Sequence, residues 1–121
     1  MAKTILVVDD SSTVRQQVAM ALKQAGFAIM EAADGREGLA AIEANPNIDM
    51  VVCDVNMPNL NGLEMLERVK SKGHKLPILM LTTEGQPSMI KRAKQAGAVG
   101  WIVKPFDANQ LIQAAKHLTK A

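Results

Sequence analysis

The sequence contains few of the residues that several common kinds of protein depend on. Among its 121 residues there is one cysteine, Cys53, one tryptophan, two phenylalanines and no tyrosine. A lone cysteine cannot form an internal disulfide, which excludes a disulfide-stabilised extracellular scaffold. We expect Cys53 to be a small buried hydrophobe in a reducing compartment.

Long apolar runs are absent as well. None approaches the ~20 residues of a membrane-spanning helix. The first ten residues lack the apolar stretch and cleavage site of a signal peptide. Hydrophobic residues make up 48% and charged residues 21%, which is ordinary for a globular protein. We therefore expect one cytoplasmic domain covering residues 1–121, with no membrane partner.

Charge is distributed unevenly along the chain. Residues 1–67 contain 4 basic and 10 acidic side chains, whereas residues 68–121 contain 10 basic and 2 acidic ones, for a net charge of +2. A basic half can indicate nucleic-acid binding, but neither interleaved aromatic residues nor a known binding motif accompanies it. We expect no nucleic-acid partner. Lys91, Arg92 and Lys94 are among the cations of this basic half.

Short apolar runs alternate with helical patterns five times. The runs predict strands at residues 4–8, 27–32, 50–53, 77–81 and 99–103. Helix starts are predicted at Ser11 or Ser12, at Asp34 with Glu37, at Asn61 with Glu64, at Pro87, and at Asp107 with Gln110. Strict alternation with short connections predicts an α/β fold, in which helices cover both faces of a five-stranded parallel sheet.

Polar residues follow the strands at the point where each apolar run ends. Asp9 and Asp10 follow the first run, Asp54 the third, Thr82 the fourth and Lys104 the fifth. Because the carboxyl ends of parallel strands share one edge, these residues should lie together. Three close carboxylates repel one another unless a cation or protons intervene, and Mg²⁺ with oxygen ligands is the simplest remedy.

Taken singly, each of these residues also has an ordinary structural explanation. Asp9 and Asp10 could favour a helix N-terminus electrostatically, and Asp54 could form a turn. Thr82 could be an ordinary strand residue and Lys104 a solvated lysine. Their joint placement at successive strand ends is what favours a functional site.

With this arrangement the whole sequence resembles the receiver domain of two-component response regulators, specifically the stand-alone chemotaxis type. The resemblance implies a doubly wound (βα)5 flavodoxin-like fold with sheet order 2-1-3-4-5. It implies that Asp54 accepts phosphate. It also implies that Asp9, Asp10 and Asp54 bind Mg²⁺ together with the backbone carbonyl of Asn56.

The same resemblance implies a switch. Thr82 matches the switch hydroxyl, Lys104 matches the lysine after the fifth strand, and the Lys104-Pro105 peptide matches one that is usually cis. Trp101 stands where the family usually has tyrosine or phenylalanine. We predict that its ring moves inward when Asp54 is phosphorylated.

Three further positions bear on the rate of reaction at Asp54. By the resemblance, Asn56 and Glu84 tune dephosphorylation, and their polar side chains predict decay in seconds to minutes. Thr83, where the family often has alanine or glycine, should narrow the access to Asp54.

The implied function is a signal carrier that catalyses only its own phosphoryl transfer and dephosphorylation. A histidine kinase would donate the phosphoryl group. A target protein, with the flagellar motor switch as one candidate, would read the face formed by the fourth helix, fifth strand and fifth helix. We expect a monomer. A phosphate sink, or a regulator of another signalling protein, is the open alternative.

Two rival functions fit the sequence less well. Haloacid dehalogenase-type phosphatases use a second aspartate two residues after the nucleophile, where this chain has Asn56 instead. Flavin carriers on the same fold use a phosphate loop rich in hydroxyl groups and glycine. In this chain, Asp9 and Asp10 would repel the phosphate.

Overall fold

The computed structural model describes residues 2–55, 61–82 and 87–120. The described residues form five strands and five helices that alternate along the chain. They are β1 Thr4–Val8, α1 Ser12–Gln24, β2 Ala28–Ala32, α2 Gly35–Ala44, β3 Met50–Cys53, α3 Gly62–Ser71, β4 Ile78–Thr82, α4 Pro87–Gln95, β5 Gly100–Val103 and α5 Ala108–Thr119. The strands pair in parallel in the order β2-β1-β3-β4-β5, which confirms the predicted fold.

The sheet separates two apolar layers. Leu6 and Val8 of β1 point into the layer that α2, α3 and α4 cover, whereas Ile5 and Val7 point into the layer covered by α1 and α5. Every residue of β3 and β4 is buried, which explains why these strands are continuous apolar runs. None of the helices in the described ranges has the length and apolar character needed to cross a bilayer.

Three strands differ from their predicted bounds by one residue, and β4 does so at both ends because it begins at Ile78 rather than at residue 77. The backbone N–H of Phe27 donates to Leu22 (3.1 Å) and completes the end of α1, so β2 begins one residue later. Strand β4 runs to Thr82 rather than ending before it, because Thr82 pairs with Val103. Strand β5 begins at Gly100, not at residue 99.

The helices begin at the predicted cap residues, but of the three predicted capping pairs only the one at α3 forms a complete box. Asn61 and Glu64 form a complete capping box at the start of α3. Asp34 accepts a hydrogen bond from the backbone of Glu37 (2.9 Å), as expected for α2. The Glu37 carboxylate, however, accepts from the backbone of Ala33 (3.4 Å) instead of from Asp34, so the second half of that box is not formed.

Helix α3 begins directly against the backbone that carries Asp54. The N–H of Gly62 donates to the carbonyl of Val55 (2.9 Å). A Cβ atom on Gly62 would lie 2.0 Å from the carbonyl oxygen of Asp54 and 3.0 Å from the Cε of Met80. Because no side chain fits there, only glycine at position 62 lets the start of α3 approach the Asp54 peptide this closely.

We expect Gly62→Ala to lower the free energy of unfolding by about 1–3 kcal/mol, because the added methyl group must displace backbone. Urea denaturation followed by circular dichroism measures this. Gly100→Ala is the matched control, since its Cβ would meet the flexible end of Leu79 at 2.7 Å and the leucine can rotate away. Equal losses in the two variants would contradict the close backbone contact at Gly62.

Candidate functional site

The carboxyl ends of β1, β3 and β5 bring charged side chains to one edge of the sheet. Asp54 continues the ladder one residue past β3, since its N–H donates to the carbonyl of Val8 (2.9 Å). One carboxylate oxygen of Asp9, one of Asp10 and one of Asp54 all lie within 4.8 Å of each other. Asp9 and Asp54 are buried and Asp10 is exposed. These three aspartates are the carboxylate cluster, and they are the predicted ones.

Lys104 supplies a positive charge to this cluster. Its Nζ lies 2.8 Å from Oδ2 of Asp9 and 3.3 Å from Oδ1 of Asp54. The lysine side chain is 13% exposed, so the two ion pairs are largely shielded from solvent. Among the described residues, Lys104 is the only cation that forms an ion pair with the cluster, which leaves two of its three formal negative charges unpaired. Burying such an excess is costly unless a further cation binds.

Burial and the neighbouring charges shift the pKa values of Asp54 and Lys104. Burial raises the pKa of the Asp54 carboxyl, the charge of Asp9 raises it further, and Lys104 offsets only part of this. Burial alone would lower the pKa of the Lys104 ammonium. The hydrogen bond to Asp9 and the charges of Asp54 and Asp9 outweigh burial, so its pKa is raised.

Thr82 and Trp101 lie one and two strands away from Asp54. Thr82 is fully buried at the end of β4, and its carbonyl accepts a hydrogen bond from the N–H of Lys104 (2.6 Å). Trp101 pairs in register with Met80 and packs, half-buried, on the layer beneath α3 and α4. Its indole Nε1 is buried and has no hydrogen-bond partner within the described part of the chain.

The family model described as "Response regulator receiver domain" matches residues 5–116. The chain belongs to the response regulator receiver domain family. Chemotaxis protein CheY1 of Helicobacter pylori is 39% identical to this receiver domain over 105 residues, which cover 84% of this chain and 85% of that protein.

Solved receiver structures have the same fold. Chemotaxis protein CheY4 of Vibrio cholerae superposes with a TM-score of 0.90 at 39% identity, covering 98% of this chain and 99% of that one. A chain of the CheX-CheY-BeF3-Mg²⁺ complex of Borrelia burgdorferi also gives a TM-score of 0.90, at 30% identity over 95% of this chain and 87% of that chain.

The structure brings four of the predicted receiver-site residues together. Asp9, Asp10 and Asp54 form the carboxylate cluster, Lys104 contacts Asp9 and Asp54, and the Lys104-Pro105 peptide is cis. Thr82 and Trp101 lie on β4 and β5. The other predicted site positions, Asn56, Thr83 and Glu84, lie outside the described residues.

An apolar groove adjoins the receiver site. It has a volume of about 540 Å³ and is lined by Val14, Gln17, Lys104, Pro105 and Phe106. Lys104 therefore belongs both to the carboxylate cluster and to the wall of the groove. A partner side chain bound in this groove would lie beside the cluster.

Two contacts at the receiver site were not predicted from the sequence. The guanidinium of Arg15 donates to the backbone carbonyl of Asp9 (2.7 Å), and the thiol of Cys53 donates to the carbonyl of Asp54 (3.2 Å). Burial raises the pKa of the Cys53 thiol, so the side chain stays protonated and packs as a small buried hydrophobic residue, as expected. The only sequence signal for Arg15 is a cation one turn after the start of α1, where the helix dipole disfavours positive charge.

We expect Asp54→Asn to raise the free energy of unfolding at pH 7 in metal-free, low-salt buffer. The raised pKa of Asp54 means that the folded state binds its proton more tightly than the unfolded chain. The stabilisation from that proton is complete below the ordinary value of 3.8 and is lost as pH rises through the raised pKa. Asparagine removes the loss because it carries no charge.

Denaturant unfolding between pH 4 and pH 8 measures this difference. Asp107→Asn is the control, because Asp107 is an exposed helix cap and asparagine caps equally well. An Asp54→Asn variant no more stable than wild type at pH 7 would show that Lys104 already compensates the cluster.

Proposed function

We propose that Asp54 accepts a phosphoryl group from a phosphohistidine on a partner histidine kinase, and that the protein is a phosphorylation-activated signal carrier. A carboxylate oxygen of Asp54 attacks phosphorus, the phosphorus–nitrogen bond breaks, and the histidine nitrogen leaves with the bonding electrons. The observation that carries the proposal is the buried carboxylate of Asp54, 3.3 Å from the Lys104 ammonium at the rim of the sheet.

The chain's own groups suit this transfer. Lys104 is already paired with Asp54 and would remain beside the phosphoryl oxygens, where it offsets the charge that they bring. The short contacts to the backbone at Asp54 hold the acceptor in place, since Cys53 and Gly62 both lie against its carbonyl oxygen. Catalysis of this kind is mostly positioning and charge compensation.

The carboxylate cluster fits Mg²⁺. Its donors are all oxygens, two formal negative charges are uncompensated, and exposed Asp10 leaves one side open to water. We assign Asp9, Asp10 and Asp54 as ligands, with the backbone carbonyl of Asn56 as a further one. When bound, the ion supplies positive charge to the oxygens of the transferring group.

The proposed switch joins Asp54 to the surface through Thr82 and Trp101. Thr82 would turn its hydroxyl towards the phosphoryl group, and the ring of Trp101 would follow into the space that Thr82 leaves. The half-buried ring supports this, and so does its Nε1, which has no hydrogen-bond partner among the described residues. A buried N–H without a partner costs about 1–3 kcal/mol, which would make the present ring position easier to leave.

The output would pass through the face that α4, β5 and α5 form. Lys91 and Lys94 are exposed on α4, and Arg92 forms an exposed ion pair with Glu67 (2.8 Å). This basic face suits an acidic segment of a target protein. The chemotaxis relatives favour a chemotaxis target, with the flagellar motor switch as the specific candidate and a phosphate sink as the alternative.

The remaining assignments complete the proposal. Residues 1–121 would form one cytoplasmic, monomeric receiver domain that acts on no separate substrate. Asn56 and Glu84 would orient the water that hydrolyses the aspartyl phosphate, which would make the phosphorylated state short-lived.

We expect incubation with a small phosphodonor and Mg²⁺ to add one phosphate, and Asp54→Ala or chelation of the metal to abolish this. Intact-protein mass spectrometry measures the addition. Asp107→Ala removes an exposed aspartate and should leave labelling unchanged. Lys104→Ala should still be labelled but bind a target poorly, because the cation that responds to the new charge is missing. Full labelling of Asp54→Ala would assign the acceptor to another residue.

We expect the emission of Trp101 to shift, and its quenching by iodide to fall, when Mg²⁺ and beryllofluoride are added together. The reason is that the ring moves from half-buried to buried when Thr82 shifts. Trp101 is the only tryptophan, so no mutation is needed. Mg²⁺ alone is the reference, and Thr82→Ala should abolish the change. An unchanged spectrum in a sample shown to be activated would mean that Trp101 is fixed packing.

A further inference from the structure

Arg15 of α1 contacts the receiver site through the backbone and not through a carboxylate of the cluster. Its Nη1 donates to the backbone carbonyl oxygen of Asp9 at 2.7 Å, and its Nε donates to Oε1 of Glu31 at 3.2 Å. The arginine side chain is 19% exposed, whereas that of Glu31 is 40% exposed. The hydrogen bond to Asp9 is therefore the shorter of the two, and the ion pair with Glu31 is the one more exposed to solvent.

The carbonyl that Arg15 holds belongs to the peptide between Asp9 and Asp10. Fixing this oxygen fixes the plane of the peptide, and with it the direction in which Asp10 leaves the chain. The other polar groups of Asp9 are also engaged. Its N–H donates to the carbonyl of Ala32 (3.1 Å), Oδ1 accepts from the N–H of Ser11 (2.9 Å) and Oδ2 accepts from Lys104 (2.8 Å).

We infer that Arg15 is a positioning residue for the cation site, because it locks the peptide that joins the two aspartates. This inference rests on the proposed function, since it concerns the Mg²⁺ ligands assigned there. Asp9 is held by four partners, but exposed Asp10 depends on the peptide before it. Without Arg15 that peptide could turn and carry Asp10 away from Asp9 and Asp54.

Two physical effects of Arg15 have opposite signs, which makes the inference testable. As a positive charge near the site, Arg15 repels a metal cation, so its removal should strengthen Mg²⁺ binding. As a positioning residue it preorganises Asp10, so its removal should weaken Mg²⁺ binding. Residues that orient metal ligands typically change metal affinity by about 10–100-fold when mutated.

The experiment is calorimetric titration of the metal-free protein with MgCl2. We expect Arg15→Met, which keeps the aliphatic stem but removes the donors and the charge, to weaken binding about tenfold. Arg15→Lys keeps the charge and a single donor nitrogen, and it should recover part of the affinity. Glu31→Gln is the matched control, because it breaks the ion pair but leaves the bond to Asp9, and it should stay within about twofold of wild type.

Amide hydrogen exchange in the absence of metal gives a second readout. The Ser11 amide, which donates to the Asp9 carboxylate, should exchange faster in Arg15→Met and at the wild-type rate in Glu31→Gln. Urea unfolding of each variant shows that the comparison is made on folded protein.

Unchanged or tighter Mg²⁺ binding by Arg15→Met, with unchanged exchange at Ser11, would overturn the positioning role. Failure of the wild-type protein to bind Mg²⁺ is a different result. It would overturn the proposed metal site and with it the role of Arg15. The two failures are distinguished by the wild-type titration.

Discussion

The site depends on one electrostatic constraint, which is that a single ammonium serves three clustered carboxylates. Lys104 reaches Asp9 at 2.8 Å and Asp54 at 3.3 Å, and Asp10 completes the cluster. Burial raises the pKa of Asp54, the charge of Asp9 raises it further, and the pairing with Lys104 offsets only part of this rise. An excess of carboxylates over cations at a partly buried site lowers the stability of the folded protein, and a bound cation would remove that cost.

The fold can hold this imbalance because the elements that carry it are rigid. The two strands that precede Asp9 and Asp54 are buried on both faces and paired with each other, so neither strand end can move away from the other. The contact of Gly62 with the Asp54 carbonyl fixes the other side. Repulsion among the three aspartates would push a loop apart, but here the aspartates follow packed strands. The burial of apolar side chains in these strands stabilises the fold by far more than the repulsion destabilises it.

Much of this arrangement could be predicted from the sequence because it follows from periodicity and topology. Apolar runs ending on Asp9, Asp54 and Lys104, once assigned to parallel strands, must meet at one edge. The capping pair of Asp34 and Glu37 was only half right, since the same spacing allows the glutamate to bond Ala33 instead.

Other features have no local signal. The role of Arg15 arises only when α1 is folded back on β1 and β2, because its partners lie six residues before it and sixteen after it. The crowding at Gly62 is also tertiary, since it depends on how closely α3 approaches the chain after β3. The indole N–H of Trp101, which finds no acceptor within residues 2–55, 61–82 and 87–120, could not be foreseen either, because a sequence does not show where a hydrogen-bond partner is missing.

The same constraint gives the proposed phosphorylation a physical direction. Lys104 now lies closer to Asp9 than to Asp54. A phosphoryl group on Asp54 would carry about two negative charges at neutral pH and so attract the ammonium more strongly than Asp9 does.

The backbone N–H of Lys104 donates to the carbonyl of Thr82 at 2.6 Å, so a displacement of Lys104 acts on the hydrogen bond that links the ends of β4 and β5. Trp101 lies three residues earlier on β5, with an indole N–H that nothing in the described chain holds. The charge imbalance of the carboxylate cluster, which a cation would offset before the proposed transfer, is thus connected through the Lys104 side chain and one backbone hydrogen bond to the strand that carries Trp101.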